Sequence, residues 1–338
     1  MKPVVKFYLK CLLLSIPFLL MTVCYVVQDP FMVVRPYTDY DHCRVRQNEG
    51  ATAWMKYQLY RNERHYDSFI MGNSCTMAFQ CDDWNRYIHS RPFRLFSNAE
   101  GLGDICLKLE ALGRQPHQPV RHLLIITDRG TFEKTDARTG AMYIMPPDVT
   151  GRSRASYQAT FLQVFFEPSF LFPYLHYQLT GKLNKSSRKI IHDAVPTRTR
   201  FTNDAVLPHE DSIRLKGEAY WNHQLWTKSL RHPTGITVQP PVLQAPQVIR
   251  LQEIARFCRQ HHTDLKLVVG PNSIHEWMNP RDIALLKRIL GPQNVFCYCQ
   301  ESSVQDYHDY YCDGVHYRPC LGRKILRDIY GRTMKEKK

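Results

Sequence analysis

The sequence predicts an α/β fold: a parallel sheet in three layers, with helices on both faces, an N-terminal transmembrane helix and a mid-chain insertion. Three observations predict it. Short apolar runs (SFIM at Ser68–Met71, HLLIIT at His122–Thr127, LKLVVG at Leu265–Gly270) alternate with helical stretches, as β/α repeats do. One long apolar segment, Phe7–Val27, stands apart at the N-terminus. Residues 131–245 break the strand–helix rhythm with many Pro, Tyr, Arg and Lys. A composition of 43% hydrophobic and 12% aromatic residues is ample for a buried core, which excludes a disordered chain.

The elements follow in order. Phe7–Val27 reads FYLKCLLLSIPFLLMTVCYVV and carries one charge, Lys10. As a helix it would reach about 31 Å at roughly 1.5 Å per residue, close to the hydrocarbon thickness of a bilayer. Lys2, Lys6 and Lys10 lead it and Gln28-Asp29-Pro30 closes it. Basic residues in front predict a cytoplasmic N-terminus and a body on the extracytoplasmic side, periplasmic or outer. A cleaved signal peptide is the competing reading. No Ala-x-Ala-like site follows the apolar run, so an uncleaved single-pass anchor is expected.

Three parts result: residues 1–29 as cytoplasmic N-terminus and anchor, 30–65 as linker and helical lead-in, and 66–338 as the α/β domain with insertion 131–245. The lead-in has helical character around Ala51–Arg61. Within the domain, Ser68–Met71 predicts a strand and Cys75 to Ile88 a helix. Phe93–Ser97 predicts a short strand, Asp104–Leu112 a helix, and His122–Thr127 a buried strand. After the insertion come a helix over Val248–His262, a strand over Leu265–Gly270, a helix over Arg281–Leu290, a strand over Asn294–Cys299 and a closing helix over Leu321–Tyr330. The insertion, with the aromatic stretch FLQVFFEPSFLFPYLHYQL (161–179) and the basic GKLNKSSRK (181–189), is expected to be helical and to cap the ligand end of the sheet. Its prolines and length argue against a second membrane span.

Charge and cysteines narrow the partners. Forty-five basic residues against 31 acidic ones give a formal net charge of +14. Three lysines fall in residues 1–27, so the body keeps about +11, suited to an anionic cell-envelope polymer or lipid head groups. Nucleic acid would suit the charge too, but the anchor puts the body on the wrong side for it. Eleven cysteines include Cys11 and Cys24 in the apolar segment. The other nine cannot all pair within one chain, and no pairing can be assigned. No Cys-x-x-Cys is present, so no metal and no other cofactor is expected.

Chemistry is expected at one corner. DSFIMGNSCTMAF (67–79) reads as a strand, a Gly-Asn-Ser turn and a helix start, which puts Ser74 at the carboxyl end of a strand. A helix start offers unpaired N–H groups to an oxyanion, that of Ser74 or Cys75 among them. It also favours serine as a mere cap. Near the other end, YCDGVHYRP (311–319) places Asp313 three residues before His316. A serine hydroxyl needs a general base, and a histidine needs a carboxylate to hold its tautomer and stabilise the imidazolium.

Serine after the first strand, Asp-x-x-His before the last helix and the α/β pattern between them resemble the SGNH (GDSL-like) hydrolase superfamily. The resemblance implies a flavodoxin-like sheet, with Ser74 as nucleophile, His316 as general base and Asp313 as its orienter. It implies an oxyanion hole from Ser74 and a glycine of FSNAEGLGD, with Gly103 the first candidate and Gly101 the alternate. The family's third block is a Gly-x-Asn-like loop after the third strand. Here that place reads Thr127-Asp128-Arg129-Gly130, and Asn272 in VVGPNSIHEW is the expected substitute. An ordinary α/β-hydrolase needs Gly-x-Ser-x-Gly, which Gly72-Asn73-Ser74-Cys75-Thr76 does not supply. Cys75 as nucleophile is one register out from the motif.

The anchor, the basic body and the insertion are similar in layout to membrane-anchored superfamily members such as alginate O-acetyltransferase-like and D-alanyl-lipoteichoic acid biosynthesis proteins. That implies a serine esterase or O-acyltransferase working on cell-envelope polysaccharide through an acyl-serine, with a membrane-bound O-acyltransferase as partner. A catalytically silent polysaccharide-binding or scaffold protein on the same fold is the alternative. An anchored glycosyl or phosphoryl transferase comes third, without a phosphate-cradling glycine loop.

Overall fold

The computed structural model describes residues 3–222, 235–274, 276–300 and 306–336. Seven strands occur there: β1 (Ser68–Gly72), β2 (Pro92–Arg94), β3 (His122–Thr127), β4 (Thr237–Val238), β5 (Asp264–Val269), β6 (Glu276–Trp277) and β7 (Val295–Cys297). Five of them form one sheet in the order β2-β1-β3-β5-β7, and every pairing in it is parallel. β4 and β6 make a separate two-stranded parallel ribbon.

Strand alternation builds two cores. On one face Phe69, Met71, Leu123, Ile125, Leu265 and Leu267 pack under the helices Glu49–Arg64, Leu102–Gly113, Ala245–Gln260 and Pro280–Leu290. On the other, Ile70, Leu124, Ile126 and Val268 pack under Cys81–Ile88 and the closing helix Pro319–Glu336. Near-continuous apolar strands are what a sheet covered on both faces requires. The chain is therefore α/β with a parallel central sheet. Strand order reverses direction between β1 and β3, so a crevice opens outside their carboxyl ends.

Three expectations change. The lead-in is more than a linker: Ala53, Trp54 and Tyr57 of helix Glu49–Arg64 are fully buried in the first core. Cys75–Ile88 is not one helix. A 3₁₀ turn, Ser74–Ala78, ends at extended Phe79 before the helix Cys81–Ile88 begins. The tighter turn leaves the corner short. The aromatic stretch 161–179 forms most of two helices, Arg154–Phe166 and Pro168–Thr180, joined at Glu167. They pack on the end of the N-terminal helix: the Phe165 ring lies tilted 5.4 Å from that of Tyr25, and Phe31 lies 4.7 Å from Phe170. The basic run 181–189 follows them.

The N-terminal helix, Pro3–Gln28, is long and apolar enough to cross a membrane and almost wholly exposed. At its end Asp29 is buried and caps the next turn. Its carboxylate accepts from the N–H groups of Val33, Val34 and Arg35 and from the Tyr37 hydroxyl. All eleven cysteines are free, with the Sγ atoms of Cys297 and Cys299 3.3 Å apart. No group of three or more metal-ligating side chains occurs among the described residues.

Candidate active site

The corner after β1 is shaped by its neighbours. Gly72 has φ +128°, and a Cβ there would run into the Ile126 carbonyl of β3, so only glycine lets β1 turn so close to its partner. The Gly72 N–H donates to the buried Glu100 carboxylate at 2.8 Å. Glu100 in turn pairs with Lys108, both fully buried. Burial pushes the Glu100 carboxyl up to about 7 against the pull of Lys108, and burial lowers the Lys108 ammonium.

Asn73, not Ser74, caps the turn: its Oδ1 accepts from the Cys75 N–H at 2.9 Å. The Asn73 amide donates to Asp128 Oδ2 at 2.6 Å. Asp128 caps the short helix after β3, accepting from Thr131 N–H at 2.8 Å. The Ser74 side chain is left for other work, and so is its N–H, which has no acceptor among the described residues.

The Ser74 hydroxyl meets His316 Nε2 at 2.7 Å, and His316 Nδ1 meets Asp313 Oδ2 at 2.7 Å. Two residues 242 positions apart are thus brought together by the fold. Asp313 Oδ1 also accepts from the N–H groups of Val315 and His316, at 2.9 and 3.0 Å. Burial pushes the Asp313 carboxyl up, but the hydrogen bonds from the His316 ring and the two backbone groups outweigh it and hold it at about 2. Asp313 is therefore ionised at neutral pH and orients the imidazole with its free nitrogen toward the serine.

The loop is braced from outside the sheet. Tyr311 N–H donates to the His316 carbonyl, closing a small hairpin around Asp313–His316. The second half of the insertion supplies a clamp: Glu210 takes two hydrogen bonds from the Arg318 guanidinium, both at 2.9 Å, and one from Tyr311. Trp221 Nε1 donates to the Tyr310 carbonyl. So it is helix Pro208–Lys216 and its 3₁₀ extension, rather than the aromatic stretch, that meets the site loop.

Two expected donors are engaged elsewhere. The Gly103 N–H donates to the Lys134 carbonyl, and a Cβ on Gly103 would strike the backbone of Thr135 and Asp136. The glycines of GLG serve this close approach; Gly101 N–H goes to Asp104. Asn272 bonds the backbone of Glu276 with both ends of its amide. Its neighbour Ser273 donates to the Gly314 carbonyl, so that loop supports the Asp313 hairpin instead. Cys75 is buried, and burial followed by the Asp128 and Asp313 carboxylates pushes its thiol up, so it stays protonated.

Past β2, Leu95 N–H still donates to the Ile70 carbonyl and Ser97 N–H to that of Gly72, so the segment after β2 stays tied to β1 as far as the corner. Arg138 fixes the Asn98 carbonyl at 2.5 Å, and the Asn98 side chain bonds no described residue.

No protein-family model and no curated protein matches this chain.

Proposed function

We propose that this chain is a membrane-anchored serine O-acyltransferase or esterase of the SGNH type, its body extracytoplasmic and its substrate an anionic cell-envelope polysaccharide. The series Ser74–His316–Asp313, closed by two hydrogen bonds of 2.7 Å at the carboxyl end of a parallel sheet, carries this reading. The order of elements, serine after the first strand and Asp-x-x-His before the last helix, supports the superfamily. The lysines before the apolar helix support the sidedness.

The chemistry follows from the atoms. Ser74 Oγ attacks an acyl carbonyl as His316 Nε2 takes its proton, while Asp313 stabilises the imidazolium. The carbonyl oxygen gains charge and meets the Ser74 N–H. Collapse expels the leaving group, which takes the proton from His316 and leaves an acyl-serine. A sugar hydroxyl or water then gives its proton to His316 and attacks the acyl carbon; Ser74 leaves and regains the proton. The acyl donor would come from a membrane-bound O-acyltransferase.

A second reading, a silent polysaccharide-binding or scaffold protein, is favoured by the engagement of Gly103 and Asn272, which thins the donor set. One experiment separates the two. The full chain is incubated with a fluorophosphonate probe and with p-nitrophenyl acetate, beside Ser74→Ala and His316→Ala. Labelling and acetate release that vanish in both variants are expected. Folded wild-type protein that takes no label would give the ground to the scaffold.

A further inference from the structure

A cavity of about 1040 Å³ opens where the N-terminal helix meets the body. That is the upper end of the roughly 300–1,000 Å³ typical of small-molecule sites. Its walls include Val26 on the last turn of the helix, Val33 and Arg35 on the loop shaped by Asp29, and Arg154 and Ala155 on the insertion helix Arg154–Phe166. The residues are mainly apolar, and the two arginines stand among them.

The charges are one-sided. The Arg35 guanidinium donates to the Val26 and Val27 carbonyls at the end of the N-terminal helix, lies over the Tyr37 ring and makes no ion pair with a described carboxylate; its backbone N–H goes to Asp29. Arg154 is exposed and makes no ion pair with a described residue. The acid in the lining, Asp148, accepts from Trp54 Nε1 at 2.6 Å. If the helix spans a bilayer, its end lies at the head-group level, where hydrocarbon gives way to phosphate. An occupant must then be apolar within and anionic at the rim.

We propose that this cavity holds one anionic phospholipid, with an acyl chain against Val26, Val33 and Ala155 and its phosphate on Arg35 and Arg154. Guanidinium forks suit phosphate oxygens, and both rim charges lie beside apolar walls. The inference rests on the helix being in a membrane and is independent of the chemistry at Ser74.

The test uses the full chain in nanodiscs made of equal parts phosphatidylglycerol and phosphatidylcholine, transferred to mild detergent for native mass spectrometry. One retained phosphatidylglycerol is expected, in preference to phosphatidylcholine. Arg154→Glu should lower its occupancy by at least about fivefold, the weight of one basic residue at an anionic surface. Ala155→Trp with Ala159→Trp, at two exposed positions of the lining, should abolish it by filling the space. Fluorophosphonate labelling of Ser74 should be unchanged in all of these, which separates this site from the serine. No retained lipid on the wild type, or retention indifferent both to head group and to the variants, overturns the proposal and leaves only lipid adsorbed around the helix.

Discussion

Two strand-to-helix corners lie side by side on this sheet and are used in opposite ways. After β3, Asp128 has both carboxylate oxygens engaged, one in its own helix cap and one on Asn73. After β1, Asn73 does the capping, and the polar residue next to it keeps its hydroxyl for His316. A serine at a helix start is ordinarily the cap itself. Here an upstream asparagine, held by the neighbouring corner, frees it. The availability of the hydroxyl is thus a property of three residues, Asn73, Ser74 and Asp128, rather than of the serine alone.

That contrast can be broken in graded steps. Asp128→Ala touches both corners, removing a cap and the partner of Asn73. Thermal or urea unfolding should register a loss of about 2 kcal/mol, the upper end for a cap, and a slower fluorophosphonate reaction with it. A loss confined to stability, with the reaction rate unmoved, would cut the link between the corners. Ser74→Ala should be the reverse case: stability within about 0.5 kcal/mol of wild type, against about 1 kcal/mol lost in Asn73→Ala. If Ser74→Ala proves the costlier of the two, Ser74 is the cap after all.

The smallest effect is in acid. The Asp313 carboxyl is held at about 2, below its ordinary value near 4, so the folded state binds fewer protons than the unfolded one between those values. Its contribution is fully present above about pH 4 and is lost as pH falls through about 2. Asp313→Asn should therefore differ in stability from wild type at neutral pH, and the difference should shrink over that interval. A gap that persists below pH 2 would mean the carboxylate charge was not its source.

Much of this was legible in the sequence because it depends on periodicity. His122–Thr127 was read to the residue, and Leu265–Gly270 and Arg281–Leu290 to within one or two, because a buried parallel strand must be apolar throughout and a covering helix along one face. Ser74, Asp313 and His316 could be named as a set, yet their contact depends on a tertiary closure that no local pattern encodes. What was missed depended on single hydrogen bonds. The GLG glycines look like candidate donors, but the approach of Lys134–Asp136 from a distant segment engages Gly103. Asn73 and Asp128 carried no pattern of their own; only the hydrogen bond between neighbouring corners shows that they free the serine. The break between the turn Ser74–Ala78 and the helix Cys81–Ile88 escaped because the propensities on either side agree.

The loop Asp313–His316 has a consequence for how such a chain can vary. One carboxylate holds both the ring and the backbone that carries it, and the hairpin closes on itself through Tyr311. The hairpin thus orders its own ring and backbone, while Glu210, Trp221 and Ser273 hold it from outside. A lineage could lose or regain the Asp313–His316 pair by editing four residues at the mouth of the last helix, leaving the sheet, the N-terminal helix and the corner as they are. Chains of this build that keep the serine but lack the loop would be where the binding and catalytic forms of such a scaffold part company.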